Sequence, residues 1–101
     1  MRKSKVPIHD DKLQESSEVL RALAHPLRMK ILEFIDKHKT INVNKIYNSM
    51  KLEQSITSQH LKILRSTDIV ITERDGKFIH YSVNYPKLTS VLKAVNTFQK
   101  D

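Results

Sequence analysis

The 101-residue chain has no cysteine and no tryptophan, and only one glycine, Gly76. Without thiols it can form no disulfide, offer no thiolate to a metal and sense no oxidant through sulfur. One glycine is too few for a Gly-rich loop that cradles phosphates on backbone N–H groups. No apolar run reaches membrane-spanning length, and the basic start Met1-Arg2-Lys3-Ser4-Lys5 is not followed by the apolar stretch of a signal peptide. The expectation is a cytoplasmic protein with no membrane partner. Catalytic groupings are missing too. His9-Asp10-Asp11 are consecutive near a terminus, and Ser58 and His60 stand two apart on a helix, pointing in different directions. Neither an enzyme nor a cofactor is expected.

What is present defines a small basic domain. Hydrophobic residues make up 39% and charged residues 29%, a globular composition, and the length suits a single domain over 1–101 whose core is marginal unless the chain self-associates. A net charge of +7 calls for an acidic partner, nucleic acid or an anionic surface.

The chain divides as follows. Residues 1–10 form a basic arm. Leu13, Ser17, Leu20, Leu23 and Ala24 recur at helical spacing and mark a helix over 11–24. Pro26 suits the first turn of a second helix, which carries Leu27, Ile31, Leu32, Phe34 and Ile35 to about Lys37. Thr40-Ile41-Asn42 is extended, with Asn42 as the N-cap of a short helix bearing Val43, Ile46, Tyr47 and Met50. Lys51-Leu52 turns the chain into a helix from Glu53 to about Ser66, burying Ile56, Leu61 and Leu64. Short helix, tight turn and second helix over 43–66 make a helix-turn-helix. Asp75-Gly76, set between alternating strands within 69–83, predicts a hairpin with a type I′ turn. A last helix over 86–100 follows Tyr85-Pro86, with Leu88, Val91, Leu92, Val95 and Phe98 on one side.

A helix carrying short polar side chains and leading into a hairpin has the form of a DNA-reading helix followed by a wing. Gln59 can contact adenine bidentately, Ser55 and Ser58 can reach bases or phosphates, and Gln54 can meet a phosphate at the helix N-terminus. Arg74 and Lys77 flank the wing tip. Residues 53–83 nevertheless carry four Lys/Arg against four Asp/Glu. Phosphate contacts are therefore expected from Lys45, Lys51, Lys62 and Arg28, with Arg2, Lys3 and Lys5 of the arm as further candidates.

The segments ALAHPLRMKILEFI (22–35) and QSITSQHLKIL (54–64), with the hairpin after them, resemble the ArsR/SmtB family of bacterial winged-helix repressors over roughly Leu20 to Val83. The resemblance implies a mainly α fold with a β-hairpin, a winged helix-turn-helix that binds double-stranded DNA. It also places His60, in the string Ser-Gln-His-Leu, near the DNA. It implies a homodimer through the first and last helices, with Leu13, Leu20, Leu88, Val91, Leu92, Val95 and Phe98 as interface candidates, and a palindromic operator read by two helices about 34 Å apart. Where the family usually has glycine after the reading helix, this chain has Asp68, a residue that also accepts the left-handed conformation. The family's metal ligands are cysteines on the helix before the reading helix, or Asp/His pairs on the last helix. Here those helices read NVNKIYNSM and LTSVLKAVNTFQK, without Cys or His. A repressor without metal sensing is expected, responding if at all to a small molecule or a protein effector. The alternative is a winged-helix module that binds another protein.

Overall fold

Capping chemistry sets most of the helix boundaries. The computed structural model describes the backbone of residues 11–99 and the side chains of 14–96, so the arm and the side chains of Leu13 and Phe98 lie outside the described residues. The order is α1 (Asp11–Leu23), α2 (Pro26–His38), β1 (Ile41–Asn42), α3 (Val43–Met50), α4 (Gln54–Ser66), β2 (Val70–Asp75), β3 (Phe78–Val83) and α5 (Tyr85–Gln99). Asn42 caps α3 as its spacing predicts, its side-chain oxygen accepting the Lys45 N–H at 2.9 Å. His25 caps α2, its Nδ1 accepting the Leu27 N–H at 3.2 Å, with Pro26 in the first turn.

Two left-handed residues bracket α4. Lys51 (φ 56°) ends α3, with the Leu52 N–H donating to the Tyr47 carbonyl at 2.9 Å. Asp68 (φ 61°) ends α4, where its own N–H donates to the Arg65 carbonyl and that of Ile69 to Leu64, each at 3.0 Å. Such paired bonds satisfy the last carbonyls of a helix and reverse the chain sharply. Helix α4 begins at Gln54, one residue later than its sequence suggests, because Glu53 remains extended as the N-cap and its carboxylate makes no capping bond.

The sheet holds one strand more than the hairpin alone. The Ile41-Asn42 connector pairs antiparallel with β3, giving the order β1-β3-β2 with Ile41 opposite Tyr81 and Val70 opposite Val83. That register also corrects the turn. Asp75 pairs with Phe78, so the central residues are Gly76 and Lys77, and only Gly76 (φ +62°) has positive φ. Positive φ at the first central position alone makes a type II′ turn instead of type I′.

The core is aliphatic. Ile31, Leu32 and Ile35 of α2 meet Ile46 of α3, Leu61 and Leu64 of α4, Ile41, Val70 and Val83 of the sheet, and Ile69 between α4 and β2. Val19 and Ala22 of α1 and Val91 of α5 close it. Ile56 does not join them. It is exposed, and Thr57 is fully buried in its place, the hydroxyl donating to the Glu53 carbonyl at 2.9 Å. Stepping back from Leu61 by four residues along a helical stripe gives 57, so the phase set by Leu61 and Leu64 excludes 56.

Polar contacts fasten helices α1 and α5 to α2 and to each other. The Arg28 guanidinium donates through Nε to the Ala22 carbonyl at 2.7 Å and through Nη2 to that of Arg21 at 3.4 Å, closing the C-terminal end of α1. Tyr85 donates to the Asp36 carboxylate at 2.5 Å, and Lys87 forms an ion pair with Glu15. Helix α4 is held to the start of α2 by two imidazoles, the rings of His25 and His60 lying 4.7 Å apart between centroids. His60 Nδ1 is buried without a hydrogen-bond partner among the described residues.

Two expected outcomes follow from this packing. Asp68→Gly should raise the urea midpoint of unfolding, worth up to about 1 kcal/mol, because glycine adopts the left-handed conformation without steric cost while the backbone bonds stay in place. A lowered midpoint would show that the aspartate side chain contributes more than its backbone strain costs. The second outcome concerns His60. Burial, then His25 and Arg28, hold its pKa below the ordinary value. The unfolded chain therefore binds the proton more readily, and the stability linked to this group is complete above about pH 6.5 and lost as the pH falls from there toward the lowered folded value. Urea unfolding from pH 7.5 down to 5.5 should show a smaller loss of stability for His60→Gln than for the parent, and equal losses would remove His60 from this role.

Candidate nucleic-acid interface

The face of α4 opposite its buried stripe carries the polar residues singled out from sequence. With Thr57, Leu61 and Leu64 turned inward, Gln54, Ser55, Ser58, Gln59 and Lys62 are all exposed. None of the five side chains makes a hydrogen bond or ion pair among the described residues. They form an open array of donors and acceptors on a rigid helix, with nothing to be broken before a ligand is met. At the N-terminal end, the absence of a Glu53 cap leaves the first-turn N–H groups of α4 open beside Gln54.

His60 stands apart from this array. Its half-buried ring lies on the flank of α4 that faces α2, against His25, so it seats the helix instead of projecting with Gln59. Three hundred and sixty degrees of helix are thus divided between a buried stripe, a histidine flank and an open face. Ile56 borders the open face, one turn before His60, and sequence periodicity misassigned it to the core. The signal that would have found it was the buried-side phase of Leu61 and Leu64, which points back to Thr57.

The cationic candidates separate into two groups. Lys45 and Lys51 of the α3 segment, and Arg74 and Lys77 of the wing, are exposed. Lys77 sits in the turn itself, its ammonium 5.8 Å from the centre of the Phe78 ring. The Arg28 guanidinium is engaged through Nε and Nη2 by the carbonyls that end α1. The wing extends away from the body: beyond the pair Val70 and Val83 its residues are exposed or half-buried. Among the described residues no group of three His, Cys, Asp or Glu side chains is arranged to hold a metal ion.

The apolar stripe of α5 is divided by the fold. Val91 is buried in the protomer's own core and Leu88 packs against it, whereas Leu92 is 50% exposed and Val95 half-buried. Successive helical positions are about 100° apart, so Val91 and Leu92 sit on the two edges of the stripe, with Leu88 and Val95 between them. Val91 therefore faces the protomer's own core, while Leu88, Leu92 and Val95 keep apolar surface outside it. On α1, Leu20 is 41% exposed while Val19 beside it is buried.

Comparison with known proteins agrees with this architecture. Residues 25–72 match the family model described as bacterial regulatory protein, arsR family. The chain is 40% identical over 87 residues to the transcriptional repressor PagR of Bacillus anthracis, covering 86% of this chain and 87% of that protein. It is 32% identical over 93 residues to the nodulation protein NolR of Rhizobium meliloti, covering 92% and 75%. The crystal structure of PagR superposes with a TM-score of 0.70 over 84% of this chain and 97% of PagR. That of NolR from Sinorhizobium fredii, 30% identical, superposes with a TM-score of 0.74 over 96% of each chain. On the strength of its winged helix-turn-helix and these relatives, the chain belongs to the ArsR family of bacterial regulatory proteins and is a DNA-binding transcriptional regulator.

Proposed function

We propose that the protein acts in the cytoplasm as a homodimeric repressor of a palindromic operator, with α4 in the major groove and the wing beside it. The observation that carries this reading is the open face of α4, where Ser55, Ser58, Gln59 and Lys62 are exposed and unengaged on a helix locked by Thr57, Leu61 and Leu64. Gln59 is the candidate for bidentate contact with adenine, while Ser55 and Ser58 meet base edges or phosphates. Lys45 and Lys51 of the α3 segment and Arg74 and Lys77 of the wing, all exposed, are the candidates for the backbone, and Gln54 joins the open N–H groups at the start of α4 in holding a phosphate. The name of PagR, a transcriptional repressor, supports repression. No helix among the described residues is long and apolar enough to cross a membrane.

Two protomers are proposed to meet through α1 and α5, where Leu20 and Leu92 are exposed on the helices bridged by Glu15 and Lys87. Large aliphatic side chains exposed on adjoining terminal helices of a small domain suit burial by a second copy. Regulation is proposed to work without a metal at the family positions, since neither α3 nor α5 offers Cys or His. A small organic molecule or a protein partner would then be the effector, or the amount of protein alone.

Fluorescence anisotropy against a selected duplex and a scrambled one tests the reading mode. Gln59→Ala should lose about 1 to 3 kcal/mol of discrimination at one base pair per half-site, whereas Lys51→Ala should weaken both duplexes alike and reduce the salt slope by about one. Equal losses on both duplexes for both variants would refute these roles. The dimer is tested by sedimentation of the double variant Leu20→Asp/Leu92→Asp. Both positions are exposed in the protomer, so the fold should persist while charge desolvated at the interface drives dissociation to monomers at micromolar concentration. An unchanged dimer would reject this surface.

A further inference from the structure

The chain buries a threonine in α4 and leaves its neighbouring isoleucine outside. Thr57 is fully buried and must satisfy its hydroxyl on the Glu53 carbonyl, while Ile56 is 39% exposed. Burying an aliphatic side chain is favourable and burying a hydroxyl is not, yet position 56 keeps about two fifths of its apolar surface in water. Isolated exposed aliphatics are ordinary on a protein surface. The setting of this one is specific. Ile56 is the third residue of α4, within the N-terminal part that enters the groove in a helix-turn-helix, and it lies at the border between the exposed Gln59 at i+3 and the half-buried His60 at i+4.

We propose that Ile56 is a specificity-determining residue that packs on the C5-methyl group of a thymine, within one or two base pairs of the base read by Gln59. The proposal rests on α4 being the DNA-reading helix and deepens that reading. Thymine is the only base that presents a methyl group in the major groove, and an aliphatic side chain is its natural complement. Side chains at i and i+3 of a helix lie about 5 to 6 Å apart, which spans one to two base-pair steps. Ile63, the other exposed isoleucine of α4, is seven residues further on and about 10 Å along the axis, toward the end that leaves the groove. Ile56 therefore carries the apolar part of the reading and Gln59 the polar part, which suits a surface whose formal charge is balanced.

The test uses the full chain and synthetic DNA. Duplexes are selected from a random-sequence pool, and the preferred site is remade with each thymine replaced in turn by deoxyuridine, which removes only the methyl group. The expected result is one position per half-site at which the replacement weakens binding about fourfold for the parent protein. The same replacement should have almost no effect on Ile56→Ala and a reduced effect on Ile56→Val, with unchanged circular dichroism for both. A selected site whose deoxyuridine responses are identical in the parent and Ile56→Ala overturns the assignment while leaving sequence reading intact. Failure of the parent to enrich any sequence overturns the reading role of α4 itself, and this inference with it.

Discussion

The rotational setting of α4 governs everything this protein presents to a ligand. Leu61 and Leu64 share one core with the α2 and α3 side chains Ile31, Ile35 and Ile46, and all of them, with Thr57, are essentially inaccessible to solvent. A rotation of one residue, about 100°, would carry Ser58 and Lys62 into the places of Thr57 and Leu61. The aliphatic core forbids this, because close packing leaves no alternative register of similar energy. The two left-handed closures at Lys51 and Asp68 fix where the helix begins and ends, and the His25 and His60 rings fix the flank that meets α2. The open polar face is a consequence of these constraints.

Charge plays a different part in this molecule from the one its composition suggests. The net +7 does not accumulate on α4 and the wing, where acidic and basic residues balance. One of the cations of α2, Arg28, serves inside the protomer by satisfying carbonyls at the end of α1. In the proposed binding mode the sequence reading would then rest on amide, hydroxyl and methyl contacts, with flanking lysines supplying the salt-dependent attraction that any duplex enjoys.

Helices α1 and α5 each serve two neighbours. Val19, Ala22 and Val91 belong to the protomer core, whereas Leu20 and Leu92 lie outside it. A single-domain chain of this length has too small an interior to cover both sides of its terminal helices. The polar ties Glu15–Lys87 and Asp36–Tyr85 hold the helices to the body without consuming those outer faces, so the geometry of a proposed dimer would be coupled to the position of α4 through α2.

Much of this organisation was legible along the chain. Pro26 and Asn42 mark helix starts by removing or satisfying an N–H, Asp68 tolerates the left-handed turn that ends α4, and alternating residues around Asp75-Gly76 announce the wing, all through effects that act within a few residues. The candidate reading residues of α4 were legible for the same reason, as polar positions on an otherwise aliphatic helix. Whether Ile56 or Thr57 is buried was not, because an isolated helix has no inside until Leu61 and Leu64 meet α2 and α3. The hairpin likewise became type II′ through the pairing of Val70 with Val83, an event of the core that sets the register at the tip. The assignment of Arg28 to the carbonyls of α1 and the division of the α5 stripe between core and surface needed contacts between elements distant in sequence. Local chemistry in the sequence determined the elements and their limits; tertiary packing alone decided which face of each element was inside, since burial is a property of neighbours.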